Sequence, residues 1–101
     1  MKYQKEVLNI LDQIPKGKVV TYQQIAIMLG NKKLSRVVGN VLHKNPLPLV
    51  HPCFKVVNSK GELAKNFGYR GIEKQKEMLI KDGVEVVNYK VDLEKYRWKN
   101  E

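Results

Sequence analysis

Apolar residues recur at helical spacing in four stretches of the chain. Tyr3, Val7, Ile10, Leu11 and Ile14 predict an amphipathic helix over 2–13, ended by the turn Pro15-Lys16-Gly17. Val19-Val20 reads as a short extended piece. Thr21 followed three residues later by Gln24 is a capping-box pattern, and it opens a helix over 22–29 that buries Ile25, Ala26, Met28 and Leu29. Gly30-Asn31 supplies a left-handed stop. Leu34, Val37, Val38, Val41 and Leu42 form the buried stripe of a helix over 33–44. Lys32, Lys33, Ser35, Arg36, Asn40, His43 and Lys44 are left for its other faces. Two helices joined by a tight glycine-containing turn, the second one basic, make the pattern of a helix-turn-helix.

Asn45-Pro46-Leu47-Pro48 breaks that pattern and stiffens the path into Leu49-Val50-His51 and the run Pro52-Cys53-Phe54-Lys55-Val56-Val57. Asn58-Ser59-Lys60-Gly61 is a turn signal, and 62–71 reads as a loop. A fourth helix over 72–82 carries Ile72, Met78, Leu79 and Ile80, and Gly83 ends it. Val84, Val86 and Val87 predict a short strand, and the aromatic tail with Tyr89, Tyr96 and Trp98 is expected to pack back onto the domain. These elements describe one α/β domain over 1–101, mainly α, with a small winged-helix-like helix-turn-helix architecture.

Composition adds a direction. The net charge of +9 is concentrated: residues 16–65 carry nine bases and a single acid, Glu62, whereas the flanking segments are nearly balanced. Such an asymmetry favours a polyanionic partner, most simply nucleic acid. One cysteine in 101 residues excludes an internal disulfide and argues against a cysteine-based zinc site. No apolar run approaches membrane-spanning length and the first residues lack an apolar signal region, so no membrane partner and a cytoplasmic setting are expected.

That cysteine is the candidate for chemistry. Proline fixes the backbone just before Cys53, and its apolar neighbours limit water, which suits a nucleophile. A small buried hydrophobe is the competing reading of a lone free cysteine. The reactive form would be the thiolate, of which an unperturbed cysteine with a pKa of about 8.5 keeps a few per cent at neutral pH. His51 stands two residues earlier, a spacing that puts both on one face of an extended segment, and so is a candidate proton acceptor.

Taken together, Ile14-Pro15-Lys16-Gly17-Lys18-Val19-Val20-Thr21-Tyr22, Gly30-Asn31, Arg36-Val37-Val38-Gly39-Asn40, His43-Lys44-Asn45-Pro46-Leu47-Pro48 and Pro52-Cys53 with Val56-Val57 resemble, in order and spacing, the C-terminal domain of the O6-alkylguanine-DNA alkyltransferases. The length and the ending from Gly83 to Trp98 also resemble the shorter alkyltransferase-like proteins, which share the DNA-binding domain but carry another residue in place of the reactive cysteine. One departure from the alkyltransferases matters. Their motif continues from cysteine to histidine and arginine, where this chain has Phe54 and Lys55. The matching acid position is Asp82, so the proton relay implied by the resemblance is broken at its central member.

The resemblance implies roles for particular residues. Cys53 would attack the alkyl carbon on guanine O6, with no cofactor and no metal. Arg36 would enter the base stack where the damaged nucleotide leaves, since a planar cation can fill that gap. Tyr22 would crowd the target phosphate, and Asn45 would brace the hinge between the recognition helix and the cysteine segment. Lys33, Ser35, Asn40, His43 and Lys55 would face DNA, with Lys55 on phosphate or solvent, and Tyr69 and Arg70 would cover the flipped base. The third helix would lie in the minor groove, whereas most helix-turn-helix proteins use the major groove. The implied partner is duplex DNA containing alkylated guanine. Two principal readings compete: a single-use enzyme that moves the alkyl group to Cys53, and a sensor that flips and caps the lesion for other repair proteins. A weaker third is a DNA-binding regulator with a structural cysteine.

Overall fold

The computed structural model describes residues 3–43, 52–64 and 71–99. Helix α1, Gln4–Gln13, sets Val7, Ile10 and Leu11 on its buried side. Strand β1, Val20–Thr21, leads directly into α2, Tyr22–Met28. The capping box foreseen at Thr21 is formed in full: Gln24 N donates to Thr21 Oγ1 and Thr21 N donates to Gln24 Oε1, both at 3.0 Å. Gly30, at φ 105°, ends α2 in a Schellman arrangement, with Asn31 N bonded to Ala26 O and Gly30 N to Ile27 O.

The basic helix begins later than its apolar stripe predicts. Lys32–Leu34 form a 3-10 turn, capped by the Asn31 side chain accepting from Lys33 N at 2.9 Å, and α3 proper runs Ser35–His43. Ile25 and Ala26 of α2 pack with Val38 and Val41 of α3 in the main core, which also takes in α1, Cys53 and Val56. The fold is therefore mainly helical around a short sheet, with the helix-turn-helix at one end.

Strand β2, Val56–Val57, pairs in parallel with β1 in the register Val20 to Val56 and Thr21 to Val57. The pleat divides the interior. Val20 and Val56 face the main core, while Val19 and Val57 face a second cluster with Leu63, Leu79, Val84 and Val91. Helix α4, Gly71–Lys81, contributes Met78 to the first cluster and Leu79 to the second. The tail returns as expected: Val19 N donates to Tyr96 O, Trp98 N donates to Val19 O, and Gln24 Nε2 holds Trp98 O at 2.9 Å. Helix α5, Leu93–Tyr96, is one turn capped by Asp92.

The strand expected at Val84–Val87 does not form. Val84 is buried, but Val87 is well exposed and makes only a single antiparallel bridge with Lys90. The alternation of valines there marks one anchoring residue and then a hairpin. Among the described residues, no helix is long and apolar enough to cross a membrane.

Candidate active site and DNA-facing helix

Cys53 opens a 3-10 turn, Cys53–Lys55, that feeds straight into β2. Pro52, at φ −73°, precedes it, and Lys55 N and Val56 N close the turn onto Pro52 O and Cys53 O. The thiol belongs to the main core and is only 7% exposed. The turn is held from behind by a group that periodicity does not single out. Gln75 of α4 is fully buried; its amide nitrogen donates to Phe54 O and Val56 O, both at 3.0 Å, and its oxygen accepts from Ala64 N at 2.8 Å. A buried amide with its donors and acceptor satisfied fixes the backbone within the cysteine turn and just after it, and ties both to Ala64.

Tyr22, the first residue of α2, is half-buried against the same core. Its phenol is pushed above the ordinary tyrosine range, chiefly by burial and then by negative charge at Cys53. The capping box and the candidate cysteine thus meet at this ring. Thr21 starts the helix, and the next residue is within electrostatic reach of the thiol.

On α3 and the 3-10 turn that precedes it, the foreseen polar residues fall where their spacing places them. Lys33, Arg36, Asn40 and His43 follow one another at three- and four-residue steps and are all exposed, opposite the buried Val38 and Val41. Ser35 is different, being half-buried with its hydroxyl donating to Lys32 O at 2.9 Å, so it braces the start of the helix. Gly39 lies on the exposed side between Arg36 and His43, and a β-carbon there would meet nothing within 4 Å. Its bare backbone keeps the stripe low enough for close approach.

Lys55 departs from expectation. It does not point to phosphate or solvent: the residue is 4% exposed, and its ammonium sits 3.1 Å from Asp82 Oδ2 while donating to Ile14 O and Pro15 O at 3.3 and 3.0 Å. A lysine can be buried this way because three acceptors replace its water and a carboxylate balances its charge. Asp82 Oδ2 also accepts from Gly17 N at 2.9 Å. Phe54 is half-buried between the two clusters, with the Lys55 ammonium 5.9 Å from its ring centroid. Asn45, His51, Tyr69 and Arg70 lie outside the described residues. Among the described residues, no group of side chains is arranged to hold a metal ion.

Residues 2–84 match the family model of the 6-O-methylguanine DNA methyltransferase DNA-binding domain. The chain belongs to that family. It is 40% identical over 93 residues to a bifunctional methyltransferase/endonuclease of Picrophilus torridus, covering 91% of this chain but 30% of that protein. It is 38% identical over 94 residues to a DNA base-flipping protein of Vibrio parahaemolyticus, covering 92% of each. Among solved structures, Atl1 of Schizosaccharomyces pombe, crystallised with damaged DNA containing O6-carboxymethylguanine, superposes with a TM-score of 0.88 at 32% identity and covers 97% of this chain and 95% of that one. The family model thus spans the chain from α1 to Val84, and the similarity to Atl1 extends over 97% of the chain.

Proposed function

We propose that this protein recognises O6-alkylated guanine in duplex DNA, turns the damaged base out of the helix and presents it to Cys53, which takes up the alkyl group. The observation that carries this reading is the placement of a cysteine, buried in a braced turn, beside Tyr22 at the head of a helix-turn-helix of this family. The exposed stripe Lys33, Arg36, Asn40 and His43 supplies the DNA-facing surface. Arg36 would occupy the space left by the departing base. Lys16, Lys18, Lys32 and Lys33 add a positive field that favours phosphate contacts, so affinity should fall steeply with salt.

In the transfer step the Cys53 thiolate attacks the alkyl carbon, forming a sulfur–carbon bond as the carbon–O6 bond breaks. The electron pair leaves on O6, and a proton taken up by the purine restores guanine. No second turnover follows, because the thioether is stable.

A second reading is favoured by one specific observation. Phe54 stands where the alkyltransferases have histidine, and the Asp82 carboxylate is committed to Lys55 and Gly17 N. With phenylalanine in place of that histidine, the same fold would act as a lesion sensor that hands the flipped base to other repair factors. Intact-protein mass after incubation with O6-methylguanine DNA separates the two. A methyl-sized gain on Cys53 supports transfer, and tight lesion-selective binding without any gain supports the sensor.

A further inference from the structure

The Gln24 side chain serves two parts of the chain at once. Its oxygen accepts from Thr21 N at 3.0 Å and completes the capping box at the head of α2, while its amide nitrogen donates to Trp98 O at 2.9 Å. A capping box is satisfied by glutamate or glutamine at this position. Only glutamine also has the N–H that the Trp98 carbonyl accepts. The choice of residue is therefore set by the tail and not by the cap.

The tail also grips the chain just before α2. Val19 N donates to Tyr96 O at 2.8 Å and Trp98 N donates to Val19 O at 2.7 Å, which makes a parallel bridge between Val19 and Arg97. Both backbone polar groups of Val19 are spent on the tail. The next two residues form β1, whose partner β2 continues directly from the cysteine turn. Residues 19–21 thus run between the tail and the segment that carries Cys53. Tyr22 follows at once and packs on the core cluster that includes Cys53.

The tail can act as a fixed support because it is itself anchored. Trp98 packs against the main cluster and Tyr96 against the second, while the Asp92 side chain caps α5. This support comes from beyond Val84, where the match to the family domain stops, and within the stretch that the similarity to Atl1 covers.

We propose that the tail is a positioning element for turning out the damaged base: through Gln24, the Trp98 carbonyl fixes the head of α2 and with it the angle at which Tyr22 meets the target nucleotide. The inference rests on the base-turning reading above. Gln24 is a positioning residue that acts through Tyr22, and the one amide shared between cap and tail is the observation that carries it.

The test uses the full chain in a Cys53→Ala background, so that transfer does not intervene. Two duplexes of one sequence are compared, one unmodified and one with O6-methylguanine. Each carries 2-aminopurine beside the target position, a base whose fluorescence rises when its neighbour leaves the stack. Gln24→Glu keeps the cap and loses the donor to Trp98 O, whereas Gln24→Met is uncharged and loses both. The two variants share only the lost tail bond. At temperatures where both are folded, each should lower the fluorescence rise on the lesion duplex at saturating protein. Each should also reduce the preference for the lesion duplex by about 3- to 10-fold, the worth of one hydrogen bond. A loss in Gln24→Glu alone would trace to its charge, and a loss in Gln24→Met alone to the cap. Either result would overturn the role of the tail, as would an unchanged preference or an equal loss on both duplexes. A parent protein that gives no fluorescence rise on the lesion duplex would overturn the base-turning reading and this inference with it.

Discussion

The ammonium of Lys55 and the carboxylate of Asp82 lie 3.1 Å apart, side chains 6% and 16% exposed, and together they tie three segments. Lys55 reaches Ile14 O and Pro15 O, and Asp82 reaches Gly17 N. The cysteine turn, the end of α4 and the loop after α1 are thereby locked to one another. The acid that the alkyltransferase resemblance assigns to proton transfer serves here as an architectural partner.

Removing one member of this pair should leave an uncompensated buried charge. Lys55→Met is expected to cost about 3–5 kcal/mol, which for a domain of this size lowers Tm by more than about 10 °C. Lys55→Met combined with Asp82→Leu should recover much of that loss, because the stranded carboxylate is gone. Thermal denaturation followed by circular dichroism checks both. At temperatures where Lys55→Met is folded, its affinity for DNA should match the parent, since the ammonium faces inward.

Gln75→Leu should also destabilise the fold, by leaving Ala64 N, Phe54 O and Val56 O without their partner. An unsatisfied buried group costs about 1–3 kcal/mol, so the loss should exceed that of an exposed control on the same helix such as Lys81→Leu. Urea unfolding of the two variants makes the comparison. Equal midpoints would show that the clamp does not hold the cysteine turn.

These two buried polar residues mark the limit of what the sequence discloses. Periodicity reveals which positions face inward only when the residues are apolar, so Ile25, Val38, Val41 and Leu79 were legible. The capping box at Thr21 and the glycine stops at Gly30 and Gly83 were legible because each has a local mechanism. Lys55 and Gln75 look like surface residues in sequence, and only neighbours distant along the chain make their burial tolerable. The Asn88-Tyr89 hairpin was hidden for a related reason: without glycine at its second position, the turn is dictated by the backbone bonds from Leu63 N to Tyr89 O and from Val91 N to Gly61 O, and not by local preference. The α3 stripe was readable because helical spacing alone aligns Arg36, Asn40 and His43.

Arg36 is exposed near the start of α3, with the glycine at 39 leaving the surface beside it open. Arg36→Ala should weaken binding to O6-methylguanine DNA by about tenfold or more, as expected for a lost charge-assisted hydrogen bond, and weaken unmodified DNA less. Fluorescence anisotropy with both duplexes reads the difference. An equal loss on both would reduce Arg36 to a phosphate contact.

Tyr22 should ionise above the ordinary range, so the near-ultraviolet titration of the parent minus that of Tyr22→Phe should have its midpoint above about 10. The sign for stability follows. Below about pH 10 the phenol is protonated in folded and unfolded chains alike and contributes no pH dependence. Above it the unfolded chain gives up the proton first, so stability falls as pH rises. Tyr22→Phe should lessen that alkaline loss. Cys53→Ala should lower the Tyr22 midpoint without returning it to the ordinary value, because burial is the larger cause and remains.

The last expectation concerns rate. Transfer needs the Cys53 thiolate, and a positioned general base is typically worth about 10²–10⁴-fold. Phe54 cannot supply one, and Asp82 Oδ2 is already held by Lys55 and Gly17 N. Transfer should therefore be slow and accelerate with pH as more thiolate forms. Phe54→His should quicken it by less than the full general-base factor, because the imidazole would have to compete with Lys55 for the carboxylate that orients it. Cys53→Ala should keep DNA binding and lose transfer altogether. The measurement is intact-protein mass against time with O6-methylguanine DNA at several pH values, for the parent and Phe54→His. A Phe54→His rate equal to the parent at every pH would mean that proton removal does not limit the reaction. No mass gain in either protein, with lesion-selective binding intact, would leave the sensor as the function of this fold.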